Sequence, residues 1–355
     1  MRVLIDIGHP AHVHLFKNFA FELIKLGNEI LFTCREKEFE NELLTNFGFR
    51  FVSFGNKHTT LKGKILDLFR FGFKEYLIGK KFRPDIILSH GSIYAAITGF
   101  LINKPHISLE DSGNMEQILL YRLFTKAIVT PDVLKEKLGK KQIRYKSYHE
   151  LAYLHPNYFS PDSSIYNILR IREEEKYCIL RFVSWNATHD EGQKGFSYEE
   201  KKVLIRLLSD KMRVFITSES KLSDDLKQYQ ILIPPERIHD ALYYASIVIS
   251  EGATIASESG VLGTTTFYVS SIRRSYCEDQ ERFGLVYNFQ ESKAALVKII
   301  EILNDNNSLS KQSEARKELI TEKIDVTAFL IWFVKNWPES IRIMKENPEY
   351  QERFK

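Results

Sequence analysis

Short, β-branched apolar runs alternate with helical segments along this chain, and that alternation restricts its fold more than any other feature. RVLIDI at residues 2–7 has the composition and length of a strand. After Pro10 come apolar residues at Val13, Phe16, Phe19, Ala20, Leu23 and Ile24, which is the 3.6-residue period of one helix face. Gly27-Asn28 stops that helix, and EILFTC opens the next strand. FRFVSF, PDIILSH, PHISLE and KAIVTP repeat the strand pattern, with helical stretches between several of them. Strands alternating with helices imply right-handed βαβ units and a parallel sheet. A second series, KYCILRFVS, MRVFITSE, IVISEG and TTTFYVS, follows the proline-punctuated stretch ELAYLHPNYFSPDSS. That stretch reads as an interdomain connection.

The length of 355 residues suits two domains, each with its own core. The expected architecture is α/β: two Rossmann-like, doubly wound domains, 1–160 and 161–330, facing each other across a cleft. The aromatic, helical end (331–355) is expected to pack back on the first domain. Ligands of open parallel sheets bind beyond the carboxyl ends of the strands, so the informative residues should follow strands.

Composition narrows the function classes. A formal charge of +4 is small for this length and gives no basis for nucleic-acid binding. Cys34, Cys178 and Cys277 are far apart and form no CxxC pair, which argues against a disulfide framework or a thiolate zinc site. The apolar run VLI is too short for a signal peptide, and no stretch reaches the roughly 20 apolar residues of a membrane span. A cytoplasmic protein is expected, with the inner face of the membrane as its one peripheral contact. That contact would be made by residues 64–83, where Phe69, Phe71, Phe73, Tyr76 and Leu77 interleave with Arg70, Lys74, Lys80, Lys81 and Arg83. A basic, aromatic helix can lie on an anionic bilayer. The competing reading is a core-facing stripe with a solvated basic face.

Several strand ends carry chemistry. Three histidines, His9, His12 and His14, follow the first strand. His12 and His14 are two apart and point to different helix sides, whereas helical metal pairs sit three or four apart, so no metal is expected. His9 belongs to the turn. His90 and Ser92 follow a later strand, and Glu110 and Asp111 the next; neighbouring carboxylates face different ways, so at most one of the pair enters the cleft. In the second half, RFVSWNATHDEGQKG packs Arg181, Trp185, His189 and Lys194 into one glycine-bearing loop, the composition of a binding loop. IVISEGATIASESGVLG runs a strand into Gly252, Ala253 and Thr254 and then a helix ending at Gly263. The start of that helix offers unpaired N–H groups to a diphosphate, and Glu258, one turn on, offers a carboxylate to sugar hydroxyls. A plain crossover helix with small residues for sheet packing explains the same stretch. Arg273 and Arg274 follow another strand and suit either a phosphate clamp or ion pairs with Glu278, Asp279 and Glu281. There is no GxGxxG and no GxxxxGK[ST].

These motifs resemble an uncharacterised microbial family of this length, of unknown function and called glycosyltransferase-like. The resemblance runs from IDIGHPAHVHLFKN through RPDIILSHGS, ELAYLHPNYFSPD and RFVSWNATHDEGQKG to EGATIASESGVLGTTT and ERFGLVYNF. That family is similar to GT-B nucleotide-sugar glycosyltransferases and UDP-N-acetylglucosamine 2-epimerases. The resemblance implies a GT-B fold, with the first domain on the acceptor side. It implies a donor diphosphate at Gly252–Thr254, helped by Arg181, His189 or Arg273, and a ribose contact from Glu258. The Ala11-His12-Val13 stretch is similar to the GHV turn in which the histidine is the general base, with Asp111 as the carboxylate that orients it. Here GHV is AHV, and the epimerase pattern HxEAGxR appears only as HISLEDSGN. The implied activity is metal-independent, inverting transfer from a nucleotide-diphosphate sugar, UDP-linked, to a cell-surface polysaccharide or lipid-linked acceptor. A UDP-sugar 2-epimerase and a non-catalytic nucleotide-sugar-binding protein are the alternatives. No cofactor beyond the donor substrate is implied.

Overall fold

The computed structural model of the chain describes residues 1–36, 38–56, 61–183, 195–218, 221–304 and 312–355. The chain forms two compact units, Met1–Tyr158 with Lys323–Lys355, and Phe159–Glu322.

In the first unit the elements run β1 (Arg2–Ile7), α1 (Pro10–Lys25), β2 (Glu29–Glu36), α2 (Glu40–Asn46), β3 (Phe51–Asn56) and α3 (Leu61–Phe82). They continue through β4 (Ile86–His90), α4 (Ile93–Leu101), β5 (His106–Leu109), α5 (Met115–Tyr121), β6 (Ala127–Pro131), β7 (Gln142–Tyr145) and α6 (Leu151–Leu154). The seven strands are all parallel, in the order β3-β2-β1-β4-β5-β6-β7. Val3, Leu4, Ile5, Ile86, Ile87 and Leu88 are almost fully buried, because both faces of a parallel sheet are covered by helices. β4 lies at the centre beside β1, and the winding reverses between β1 and β4. At such a switch point the loops after the two strands diverge and leave a crevice.

Pro10 at the first helical position and His9 as N-cap start α1 directly after β1. His9 Nδ1 accepts the Ala11 N–H at 3.2 Å. Val13, Phe16, Phe19, Ala20 and Leu23 are buried as the periodicity requires, while Ile24, counted in the same stripe, is 46% exposed. Part of the stretch read as a connection belongs to the core: Leu151–Leu154 is a buried turn of helix packed on α1. The two units divide between Tyr158 and Phe159, inside that stretch. Strand β7 was missed because QIRY is short and mostly polar.

In the second unit the order is α7 (Ile165–Leu169), β8 (Tyr177–Phe182), α8 (Tyr198–Ser209), β9 (Arg213–Ser218), α9 (Ile238–Tyr244), β10 (Ile247–Ser250) and α10 (Ala253–Leu262). It ends with β11 (Thr266–Val269), α11 (Ser275–Arg282), β12 (Val286–Phe289), α12 (Ser292–Asn304) and α13 (Gln312–Glu322). Its five parallel strands lie in the order β12-β11-β10-β8-β9, with a switch point between β10 and β8. Leu180, Phe182, Ile249 and Phe267 of the sheet pack with Leu204 and Leu208 of α8 and Ile299 of α12. The chain then returns to the first unit through α14 (Val326–Lys335) and α15 (Glu339–Glu346). α14 packs on α1 and α6, and Asp325 caps it through the Ala328 N–H at 2.9 Å. The returning segment therefore begins at residue 323, before the aromatic helix, and the second unit ends at 322 rather than 330.

Candidate active site

The switch point of the first unit collects four ionisable side chains. His12 lies in the first turn of α1, His90 ends β4, Asp111 follows β5, and His149 precedes α6. The rings of His12 and His90 stack with centroids 4.4 Å apart. Asp111 bridges the other two: Oδ1 is 3.0 Å from His90 Nε2, and Oδ2 is 3.0 Å from His149 Nδ1. Asp111 thus orients His90 and His149 rather than His12, correcting the pairing drawn from the resemblance. His149 was missed because it is distant in sequence from the strand ends and enters the cluster only through the chain's path after β7.

The electrostatics divide the histidines. Burial lowers the pKa of His12 well below the usual histidine value, and the neighbouring His90 and His9 add to the effect. His12 is therefore neutral at physiological pH. The Gly8 N–H donates to its Nδ1 at 3.3 Å, so the neutral ring carries its proton on Nε2. Burial works in the same direction on His90, but the hydrogen bond and charge of Asp111, with the charge of Glu110, outweigh it and raise its pKa to about 9. Asp111 is held well below the carboxylate range: burial opposes ionisation, but His149 and His90 prevail. The cluster thus juxtaposes a neutral imidazole and an imidazolium–carboxylate pair.

A buried frame holds these groups in place. Arg35 Nη1 reaches both carboxylate oxygens of Asp6, at 2.7 and 2.9 Å, and Ser92 donates its hydroxyl to the same carboxylate. Ser92 also caps α4 by accepting the Ala95 N–H. Ser92, a strand-end candidate, is therefore a buried cap tied to β1. A Cβ on Gly8 would come within 3.1 Å of Arg35 Nη2, so a larger residue there would press on the frame beneath His12. Glu110 turns away from Asp111, as neighbouring carboxylates should. It accepts from the Ser112 N–H and hydroxyl, the Gly113 N–H and the Tyr121 hydroxyl, which shape the turn after β5. His9 serves as the α1 cap, and its Nε2 lies 3.9 Å from Glu38. His14 is buried against Tyr153 and Phe47. A ring nitrogen of His90, a ring nitrogen of His149 and a carboxylate oxygen of Asp111 also lie within 4.8 Å of one another, a spacing that a metal ion could use. Residues distant in sequence make this set, so the spacing argument against a metal did not reach it.

In the second unit, Gly252, Ala253, Thr254 and Ile255 are partly exposed, while Ala256–Leu262 are buried. Only the first turn of α10 reaches solvent, and no side chain caps it. Arg181 lies beside that turn: a Cβ on Gly252 would be 3.9 Å from Arg181 Cγ, and the guanidinium reaches Thr217 at 3.0 Å. Glu258 departs from its expected role. It is 3% exposed, and His239 Nε2 lies 3.2 Å from its Oε1, so its carboxylate is committed inside the fold. Arg273 ion-pairs with Glu278 and approaches Glu281 at 3.8 Å, which is the ion-pair alternative. Trp185, His189 and Lys194 lie outside the described residues. The flanks of their loop share one anchor, Glu251, which sequence reasoning passed over. Its buried carboxylate accepts from Val183 N–H at 2.9 Å and Phe196 N–H at 2.7 Å, and Lys201 lies 3.5 Å away. The only signal for it was an acidic residue between a buried strand and Gly252.

Residues 1–337 match the family described as "Protein of unknown function (DUF354)", and the chain belongs to that family. Comparison with curated proteins finds no match. Among solved structures, the fold is similar to MnaA of S. aureus in its UDP co-structure, with a TM-score of 0.69 and 10% identity over 96% of this chain and 98% of that one. It is similar to the spinosyn forosaminyltransferase SpnP, with a TM-score of 0.62 and 12% identity over 96% and 99%. It is also similar to UDP-GlcNAc 2-epimerase of Neisseria meningitidis bound to UDP-GlcNAc, with a TM-score of 0.58 and 13% identity over 90% and 98%. The two parallel-sheet domains are thus those of a GT-B fold.

Proposed function

We propose that this member of the family is an enzyme of nucleotide-sugar chemistry, an inverting glycosyltransferase that takes a UDP-linked donor and a surface polysaccharide or lipid-linked acceptor. The observation that carries this reading is the convergence of His12, His90, Asp111 and His149 at the switch point of the first domain. His12 is the general base. An acceptor hydroxyl gives its proton to the free lone pair of His12 at Nδ1, taking the place of the long contact from the Gly8 N–H, and the ring becomes an imidazolium. The acceptor oxygen then bonds to the anomeric carbon while the bond from that carbon to the diphosphate oxygen breaks. The electron pair leaves with the nucleoside diphosphate, and the anomeric configuration inverts. The Asp111 carboxylate holds the His90 imidazolium beside the His12 ring and stabilises charge as it moves. The uncapped first turn of α10 and Arg181 receive the diphosphate. Solved structures of similar fold that handle UDP, UDP-GlcNAc or a sugar transfer support the substrate class.

A second reading, a UDP-sugar 2-epimerase, would use the same cluster to move the C2 proton. One set of assays separates the two. UDP-sugars are screened by thermal shift, and a hit is incubated with and without acceptor in deuterated buffer, before and after chelation. The proposal expects acceptor-dependent release of UDP that survives chelation, with no deuterium at C2. Substitution His12→Ala should lower turnover by about 10²–10⁴-fold, the usual contribution of a positioned base. Deuterium at C2 without acceptor would establish the epimerase, and near-normal turnover of the variant would remove His12 as base.

A further inference from the structure

Helix α3 is apolar on two opposite sides. Phe71, Gly79 and Phe82 face the sheet with the buried carboxyls of Asp67 and Glu75. Leu66, Phe69, Phe73 and Leu77, spaced by three or four residues, form a stripe on the far side, where Phe69 is 69% and Phe73 62% exposed. A core-facing stripe with a solvated polar face accounts for the first set and leaves the second unexplained. The surface continues past α3. Gly79 lets α3 sit against Thr98 and Ile102 of the α4 region, and α4 packs in turn on α5, with Phe100 and Phe124 in edge contact at 5.5 Å. Phe100, Leu101, Met115, Leu119, Leu120 and Leu123 stand exposed on those two helices and their ends. More than half of the large apolar side chains exposed among the described residues lie on this one three-helix layer. Lone exposed apolar residues are ordinary, whereas a continuous set of this size marks a surface that meets something.

The charge around it selects what it meets. Lys74, Lys80, Lys81, Arg83 and Lys126 are exposed on the same layer, and Arg70, Lys104 and Arg122 are partly so. Of the acidic residues on these helices and their ends, Asp67 and Glu75 are buried, while Glu116 and Asp85 are exposed, Asp85 accepting the Arg2 N–H. Aromatic and leucine side chains ringed by cations, with almost no surface acid, complement the interface of an anionic bilayer: the rings enter the headgroup boundary and the cations meet the phosphates. We propose that the α3–α4–α5 face of the first domain docks on an anionic lipid surface without spanning it. No helix among the described residues is long and apolar enough to cross a membrane. The inference stands on exposure and charge alone, so it is tested separately from the sugar chemistry.

The test is co-sedimentation of the full chain with phosphatidylglycerol vesicles and with phosphatidylcholine vesicles. The expected result is binding to phosphatidylglycerol that weakens at least tenfold as salt is raised, with little binding to phosphatidylcholine. The double variant Phe69→Ser, Phe73→Ser should lose at least tenfold in vesicle binding. Lys80→Glu with Lys81→Glu should lose a similar factor and flatten the salt dependence. All four positions are exposed, so both variants should keep the wild-type melting temperature. No binding of the wild type to phosphatidylglycerol at low salt would overturn the proposal, as would binding unaltered by the serine variant. Concentration-dependent self-association abolished by that variant, without vesicle binding, would reassign the face to a second copy of this chain.

Discussion

His90 and His12 titrate in opposite senses, and the pH dependence of stability should show both. His90 titrates near 6.5 when unfolded and at about 9 in the fold. Its raised value means that its contribution is complete below pH 6.5, declines between 6.5 and 9, and is absent above that. His12 is shifted the other way, so below 6.5 the unfolded ring takes up a proton that the buried ring resists, and stability falls. The melting temperature should therefore fall on both sides of a plateau near pH 6.5. Asp111→Asn removes the cause of the His90 shift, so the decline from 6.5 to 9 should vanish in that variant. Thermal melts from pH 5 to 10, with an NMR titration of His90, check this; an unchanged alkaline limb would detach His90 from Asp111. At this scale the sequence named His12 and Asp111 as important, and both lie in the cluster. Their partners were not legible, because a side chain's hydrogen-bond partner is set by which strands lie side by side.

Among the elements, the strand–helix alternation was readable because apolar periodicity is a local property, and the α10 boundaries followed from Gly252 and Gly263. Glycines inside helices are less transparent from sequence. Gly99 lies in α4, where a Cβ would meet the Lys104 carbonyl oxygen at 2.9 Å and the His106 Cβ at 3.1 Å. The helix can approach the start of β5 only because that side chain is missing. Gly99→Ala, which on a solvated helix would be stabilising, should here cost about 1–3 kcal/mol, from the overpacking of a rigid backbone contact. Urea unfolding would measure it, and a variant at least as stable as the wild type would show that α4 moves freely on the sheet. The α3 stripe makes a related point: Phe69 and Phe71 look alike in sequence, yet one is exposed and the other buried.

For the molecule as a whole, the chain leaves its first unit at Tyr158 and comes back at Lys323. The return is structural: Ile324 and Asp325 tie to Ser147 and Asn157, and Phe329, Leu330 and Phe333 are buried. Deleting residues 323–355 should uncover α1 and α6, so hydrogen exchange there should accelerate while the core strands of 159–322 keep their protection. Equal loss of protection in both units would mean that they fold as one. Local sequence is enough to place the two α/β units, the strand ends at which chemistry gathers, and the starts of α1 and α10. These depend on apolar period, caps and glycine or proline stops, all of which act over a few residues. It takes the assembled fold to show that Asp111 serves His90 and His149, that Glu258 turns inward to His239, that Glu251 binds Val183 and Phe196, and that α3 keeps an apolar face uncovered. Each is set by the order in which strands assemble and by which helix faces find a neighbour, quantities that no local stretch of sequence contains.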